Sequence, residues 1–310
     1  MSTVYILTDH GTLKKKGEKL ILDKDGAVLN TIFPYKTEQL MIIGNVEITS
    51  PALKSLMKHQ IDTVFLGRNG RFNGKIAFQA GKNVFLRQAQ FKLLEDSGFK
   101  LKISKEIVSG KLRNQLSFMQ RITRSRKIKE ELKGALENMK RALRQVDEID
   151  NVDSLRGVEG LGARYFFSVF RHSIIQDWAV FNGRSMHPPK DNVNAVLSFL
   201  YTMMLFRVDA AIESFGLDSY AGYFHSLDYG KRSLSYDLVE EYRTPIADTL
   251  TASLFNLGVL SSGDFEEITF KEDSDEYPLA ADSETEGVVS GAKKGVLLTK
   301  DGLKKVITQF

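Results

Sequence analysis

Over its first eighty residues the chain sets short apolar runs between polar turns. VYIL, KLIL, AVLNTIF, QLMII and TVFLG are β-branched or apolar runs too short for helices, separated by turn pairs such as Asp25-Gly26 and Asn69-Gly70. They predict strands, closed by a hairpin around GRNGRFNGKI. One interruption is helical: Ser50 stands at a cap, Pro51 at the first helical position, and Leu53, Leu56 and Met57 make an apolar stripe ending near His59. Residues 1–82 therefore read as a small β-rich domain with one short helix.

After Gly81 the period becomes helical. VFLRQAQFKLLED places Phe85, Ala89 and Leu93 at four-residue steps, and ISKEIVSGKLRNQLSFMQRITRS predicts a long helix that tolerates Gly110 at a cost of about 1 kcal/mol. In RKIKEELKGALENMKRALRQVDEI the buried stripe is Leu132, Leu136, Met139 and Leu143. In NVDSLRGVEGLGARYFFSVF, Asp153 or Ser154 can cap, 165–170 is a core helix, and Glu159 is expected at or near its start. Pro188 and Pro189 hold a loop extended before Asp191 or Asn192 caps a helix over 193–211, apolar on most sides and hence buried, which Gly216 ends. From Ser235 onward Leu238 and Tyr242 again repeat at helical spacing. Beyond Leu260 the chain reads as an acidic loop, a hairpin and a helix starting at Thr299, and its stop at Phe310 implies a short or trimmed tail. The expected fold is two-domain α+β, with residues 83–310 forming an α-helical domain that carries a mobile acidic segment at about 264–290.

The net charge of +4 is small, but it is unevenly spread. Residues 100–144 hold fourteen Lys/Arg against four Glu, and residues 264–286 hold ten Asp/Glu against one Lys. A basic middle suits a polyanion, which the later segment would repel. Arg121, Arg124, Arg126, Lys127 and Lys129 have no acid among them, so phosphate contact stands there beside plain helix solvation. The absence of cysteine excludes disulfides, thiolate zinc sites and a cysteine nucleophile, and agrees with a reducing cytoplasm. No apolar run approaches the ~18 residues of a membrane helix, so a soluble, cytoplasmic protein is expected.

The chemistry gathers in GYFHSLDYGKRSLSYDLVEEYR. Asp237 and Glu240 are three apart and share a helix face, and a loop could fold His225 back over it. This is either a solvated face with a lone histidine nearby or half of a site for a hard divalent ion such as Mg²⁺ or Mn²⁺. Glu159, between Gly157 and Gly160 and flanked by Arg156 and Arg164, is either a further ligand or a first-turn glutamate favoured by the helix dipole. GVEGLG does not fit G-x-G-x-x-G and follows no strand, which excludes a dinucleotide loop.

Three ordered motifs, LRGVEGLGARYFF, GRSMHPPKDNVNAVLSFLY and GYFHSLDYGKRSLSYDLVEEYR, together with the run KLRNQ at 111–115, closely resemble the CRISPR-associated endonuclease and integrase of the adaptation (spacer acquisition) step of antiviral defence. The resemblance covers nearly the whole chain. It implies a β-domain that forms homodimers, an all-α catalytic domain, and a divalent metal, Mn²⁺ or Mg²⁺, held by Glu159, His225 and Glu240, with Asp237 the neighbouring acid. It further implies a small ferredoxin-like partner and insertion of short foreign duplexes into a CRISPR array, by attack of a DNA 3′-hydroxyl on a phosphodiester. Arg164, Lys231 and Arg232 are then candidates to position phosphates. Glu241 and Tyr242 stand where a Pro-Phe pair is common in that family, which alters packing beside the site. The competing reading is a non-catalytic DNA-binding scaffold, for which three ligand-type residues would have no use.

Overall fold

A computed structural model describes residues 2–76, 83–125, 130–186, 188–270 and 293–310. Strands β1 Thr3–Thr8, β5 Gln39–Gly44, β7 Asp62–Leu66 and β8 Phe72–Ile76 form one sheet in the order β1-β5-β7-β8. Its first three strands are parallel and β8 is antiparallel to β7. Strands β4 Ala27–Ile32, β3 Lys19–Lys24, β2 Thr12–Lys16 and β6 Glu47–Ile48 form a second sheet in that order. In β5, QLMII is buried throughout because both faces of the sheet are covered. Leu40 and Ile42 face the second sheet and helix α1 (Ser50–Lys58), while Met41 and Ile43 join the core shared with the helices.

The lysine-rich β2 and the two-residue β6 carry no apolar run that would announce them; each is placed by its neighbours, Leu13 being the one residue of β2 that is fully buried. Helix α1 starts at Ser50, not Pro51, and its cap position is Thr49, whose hydroxyl donates to the Leu13 carbonyl instead of closing the helix end. Asp25 and Gly26 both adopt positive φ, as a tight hairpin turn requires.

The helical part comprises α2 Val84–Glu95, α3 Ser97–Ser125, α4 Glu130–Glu148, α5 Val152–Phe170, α6 Asn192–Ser214, α7 Ser233–Tyr242, α8 Thr249–Asn256 and α9 Lys300–Gln309. A wide π-type turn, Arg243–Asp248, joins α7 to α8. Helix α6 is the central rod: Asp191 caps it, Gly216 reverses the chain at φ 79°, and most of its residues are buried. Against the expectation that no run approaches a membrane span, among the described residues it alone has the length and hydropathy of one, but 72% of that window is buried inside the protein, so its apolarity serves the core. An antiparallel hairpin, β9 Phe265–Phe270 with β10 Lys293–Leu298, adds strand to this part. The acidic stretch thus begins in ordered structure. Asp264 is buried, closes a capping box with Ser261 and pairs with Lys305 at 2.7 Å, and only then does β9 begin. Residues 271–290 of the expected mobile segment, and the expected boundary at 82, lie outside the described residues.

Candidate active site

Helix α5 begins earlier than the apolar run at 165–170 implies. Asn151 caps it by accepting the Ser154 N–H at 2.8 Å, in place of Asp153 or Ser154. Glu159 consequently stands in mid-helix, too far from the N-terminus for the dipole to explain it. The helix has two faces. Leu155, Gly162, Phe166, Val169 and Phe170 are buried in the core, whereas Arg156, Glu159, Gly160, Ala163, Arg164, Phe167, Ser168 and Arg171 line a cleft of about 760 Å³.

The opposite wall of the cleft comes from the chain between α6 and α7. Four side chains fix it. Gln90 of α2 donates to the carbonyls of Asp218 and Ala221, Ser104 of α3 to that of Tyr223, and Arg156 of α5 to that of Phe224 at 2.7 Å. Asp237 supplies the fourth: fully buried on α7, it accepts the backbone N–H groups of Tyr223, Phe224 and His225 at 2.6, 3.0 and 2.8 Å. Its Oδ1 also lies 2.8 Å from His225 Nδ1. A carboxylate only accepts, so Nδ1 carries a proton toward Asp237, and Nε2 is the ring nitrogen turned toward Glu240, 3.9 Å from its Oε1. Asp237, expected as the acid neighbouring the ligands, does not line the cleft; it lies behind His225, its oxygens taken up in shaping the loop.

Glu159 and Glu240, 81 positions apart, meet on one cation. The Lys111 ammonium of α3 contacts Glu159 Oε1 and lies 2.5 Å from Glu240 Oε2, while Arg243 Nη2 reaches Glu240 Oε1 at 3.2 Å. Burial alone would lower the Lys111 pKa, but the two carboxylates outweigh it and hold the group above the ordinary lysine range. Among the described residues no three acidic or histidine side chains stand together as a ready cation cage, since the ammonium occupies the place between the two glutamates. Farther along the cleft Tyr201 donates to Asp248 Oδ1 at 2.5 Å, between Arg184 and Arg243, whose guanidinium groups lie 5.2 and 4.9 Å from the Tyr201 ring.

A sequence model described as CRISPR associated protein Cas1 matches residues 4–271. The chain belongs to that family. It is 34% identical over 278 residues to the CRISPR-associated endonuclease Cas1 2 of Rhodospirillum rubrum, covering 86% of this chain and 80% of that one. Its fold matches a chain of a Cas6-RT-Cas1–Cas2 complex at a TM-score of 0.81 and 24% identity, over 99% of this chain and 31% of that one. It also matches a casposase bound to integration product, at a TM-score of 0.79 and 21% identity, over 100% of this chain and 81% of that one.

Within this Cas1-family chain the basic residues singled out from sequence divide. Arg164 and Lys231 line the cleft. Arg232 does not: its guanidinium lies 4.6 Å from the Phe72 ring of β8 and 3.5 Å from buried Asp209, which also pairs with Lys75, so it joins the sheet to the helices. Arg121 and Arg124 are exposed on α3 away from the cleft lining, with Arg121 over the Phe118 ring at 5.0 Å. Arg126, Lys127 and Lys129 lie outside the described residues. Sequence reasoning gave no role to Lys111, Arg171, Arg184 or Asp248. Lys111 had a signal: it falls on the buried stripe of α3 with Ile107, Val108, Leu112, Gln115, Phe118, Met119 and Ile122, where a lysine needs an acidic partner.

Proposed function

We propose that this chain is a divalent-metal-dependent DNA endonuclease and integrase of CRISPR adaptation, joining the 3′-hydroxyl of a short foreign duplex to a phosphodiester of the array. The observation that carries this reading is that Glu159 and Glu240, from separate helices, meet on the Lys111 ammonium in an arginine-lined cleft, with His225 Nε2 3.9 Å from Glu240 Oε1. The family membership, the relative named an endonuclease and the fold shared with an integrating casposase support it.

The donor set suits a hard divalent cation. Glu159 and Glu240 offer carboxylate oxygens, His225 offers a fixed Nε2, and a positive charge is already held between the two carboxylates by Lys111. When bound, the cation polarises the phosphoryl oxygen, helps ionise the attacking hydroxyl and offsets charge in the transition state; imidazole favours Mn²⁺ slightly over Mg²⁺. The chain does the rest. Arg164 and Arg171 are exposed at the cleft and receive backbone phosphates, while Arg156 fixes the loop that aims His225. With water as the attacking group the same arrangement cuts DNA. Pairing of two chains through the strand-rich N-terminal part, and assembly with a small ferredoxin-like partner of the Cas2 kind, belong to the same proposal.

The test is a strand-transfer assay on array DNA, using a duplex with free 3′ ends, with Mn²⁺ or Mg²⁺, and with and without the partner. Transfer is expected in the complete mixture and cleavage of branched DNA by the chain alone. Glu159→Gln should abolish both while leaving the metal-free duplex affinity within a few-fold, since that affinity comes chiefly from phosphate contacts elsewhere. Full activity in excess chelator, or in Glu159→Gln, would refute the metal site, and no transfer or cleavage with either metal would favour the scaffold.

A further inference from the structure

Lys111 poses a question that the proposed chemistry leaves open. A lysine buried on the apolar stripe of a helix is costly unless paired, and its two partners here are the carboxylates read above as cation ligands. Glu240 is 3% exposed and divides its oxygens between Arg243 and Lys111; Glu159 is 20% exposed and opens on the cleft. Charge closes over these four groups: two carboxylates face one ammonium and one guanidinium. A divalent cation entering with Lys111 in place would add two positive charges to a poorly solvated cluster that is already neutral. With the ammonium swung out of the cluster the excess falls to one, which the single negative charge of a phosphodiester offsets.

We infer that Lys111 is an internal counter-ion that holds the cation position in the free protein and yields it to the divalent ion when DNA arrives, so that cation and phosphodiester bind cooperatively. The inference rests on the reading of Glu159 and Glu240 as ligands. Lys111 itself lines the cleft, so a rotation of its flexible side chain would carry the ammonium off the glutamates and toward an incoming phosphate without moving the helix. Arg243 cannot make the same exchange as readily, because its guanidinium is held over the Tyr201 ring. The coupling is reciprocal: if DNA raises the affinity for the cation, the cation raises the affinity for DNA by the same factor.

The experiment follows free Mn²⁺ by its paramagnetic resonance signal during titration of the full-length wild type, Lys111→Met, Lys111→Gln and Glu159→Gln. Each is titrated alone and with a duplex ending in 3′-dideoxynucleotides, after subtraction of the duplex's own Mn²⁺ uptake. The wild type should bind Mn²⁺ weakly alone and about tenfold or more tightly with duplex. Both lysine variants should bind about tenfold tighter than wild type without duplex, lose most of the duplex effect, and show a larger rise in Tm on adding Mn²⁺. Lysine variants that bind Mn²⁺ no better than wild type, while Glu159→Gln loses it, would overturn the counter-ion role and leave the metal reading standing. Wild type that takes up no more Mn²⁺ than Glu159→Gln under either condition would overturn both. Lysine variants that stay unfolded even with Mn²⁺ would also refute the exchange, because the ammonium would then be irreplaceable by a divalent ion.

Discussion

Asp237 Oδ1 lies 2.8 Å from both the Nδ1 and the backbone nitrogen of His225, so one oxygen fixes the ring and the peptide that carries it. The other oxygen holds Tyr223 and Phe224, and the residue is fully buried. Asp237→Asn puts an amide NH₂ where one acceptor stood and leaves buried N–H groups unpaired. We expect a loss of about 2–3 kcal/mol in urea titrations and, in the protein that remains folded, a 10–100-fold weaker uptake of Mn²⁺. Unchanged values for both would mean that the loop is held by Arg156, Ser104 and Gln90 without it.

Asp237 also marks how far the sequence could be read. Its spacing from Glu240 puts both on one helix, and both are there. Which of them faces the cleft depends on the loop at 217–232, whose path is set by side chains from α2, α3 and α5 that no local period connects to it. Long apolar periods such as α6 were plain, and QLMII was plain as a strand, but β2 was hidden because Leu13 alone among its residues is fully buried. Arg232 reads from the sequence as a candidate to position phosphate; its stacking on Phe72 depends on a strand 160 positions away.

Asp248 gives the cleft a pH signature. Burial raises its pKa to about 6, against the opposing hydrogen bonds from Tyr201 and Thr244. Because the folded value lies above the unfolded one, the folded chain binds the extra proton, so this stabilising contribution is complete below about pH 4 and lost as pH rises through 6. Asp248→Asn removes the dependence. Between pH 4 and pH 7.5 the stability of the wild type should fall relative to the variant by on the order of 3 kcal/mol. Parallel denaturation midpoints across that range would exclude the raised value.

Arg121 and Arg124 are exposed on α3, close in sequence to Arg126 and Lys127 with no acid among the four. If these four meet DNA phosphates, replacing them together by alanine should weaken binding to duplexes of any sequence. The slope of log affinity against log salt should flatten by roughly one unit per lost contact. Reduced affinity with an unchanged slope would assign them to helix surface, Arg121 serving only to cover Phe118.

Three glycines that the sequence cannot tell apart should answer alanine differently. Gly157 is exposed in mid-α5 with nothing within 4 Å of an added Cβ, so Gly157→Ala should stabilise by about 1 kcal/mol through helix propensity alone. At Gly110 the added carbon would meet the Glu241 side chain at 2.9 Å; that side chain is exposed and can swing aside, so the gain should be smaller but of the same sign. Gly162 is the reverse case. Its Cβ would lie 2.3 Å from Leu112 Cδ2, in the core where α5 crosses α3, and Leu112 has no room to retreat. Gly162→Ala should therefore cost about 1–3 kcal/mol despite its better propensity. The strain bears on function as well as stability, because Leu112 is the neighbour of Lys111 and Gly162 sits one turn beyond Glu159: separating the helices there loosens the pair between those two side chains. Adding Leu112→Ala to Gly162→Ala tests the cause. If the clash is the mechanism, the double variant should lose less stability than the two single losses added together. Simple additivity would show that α3 and α5 do not need a glycine to approach each other beside the cleft.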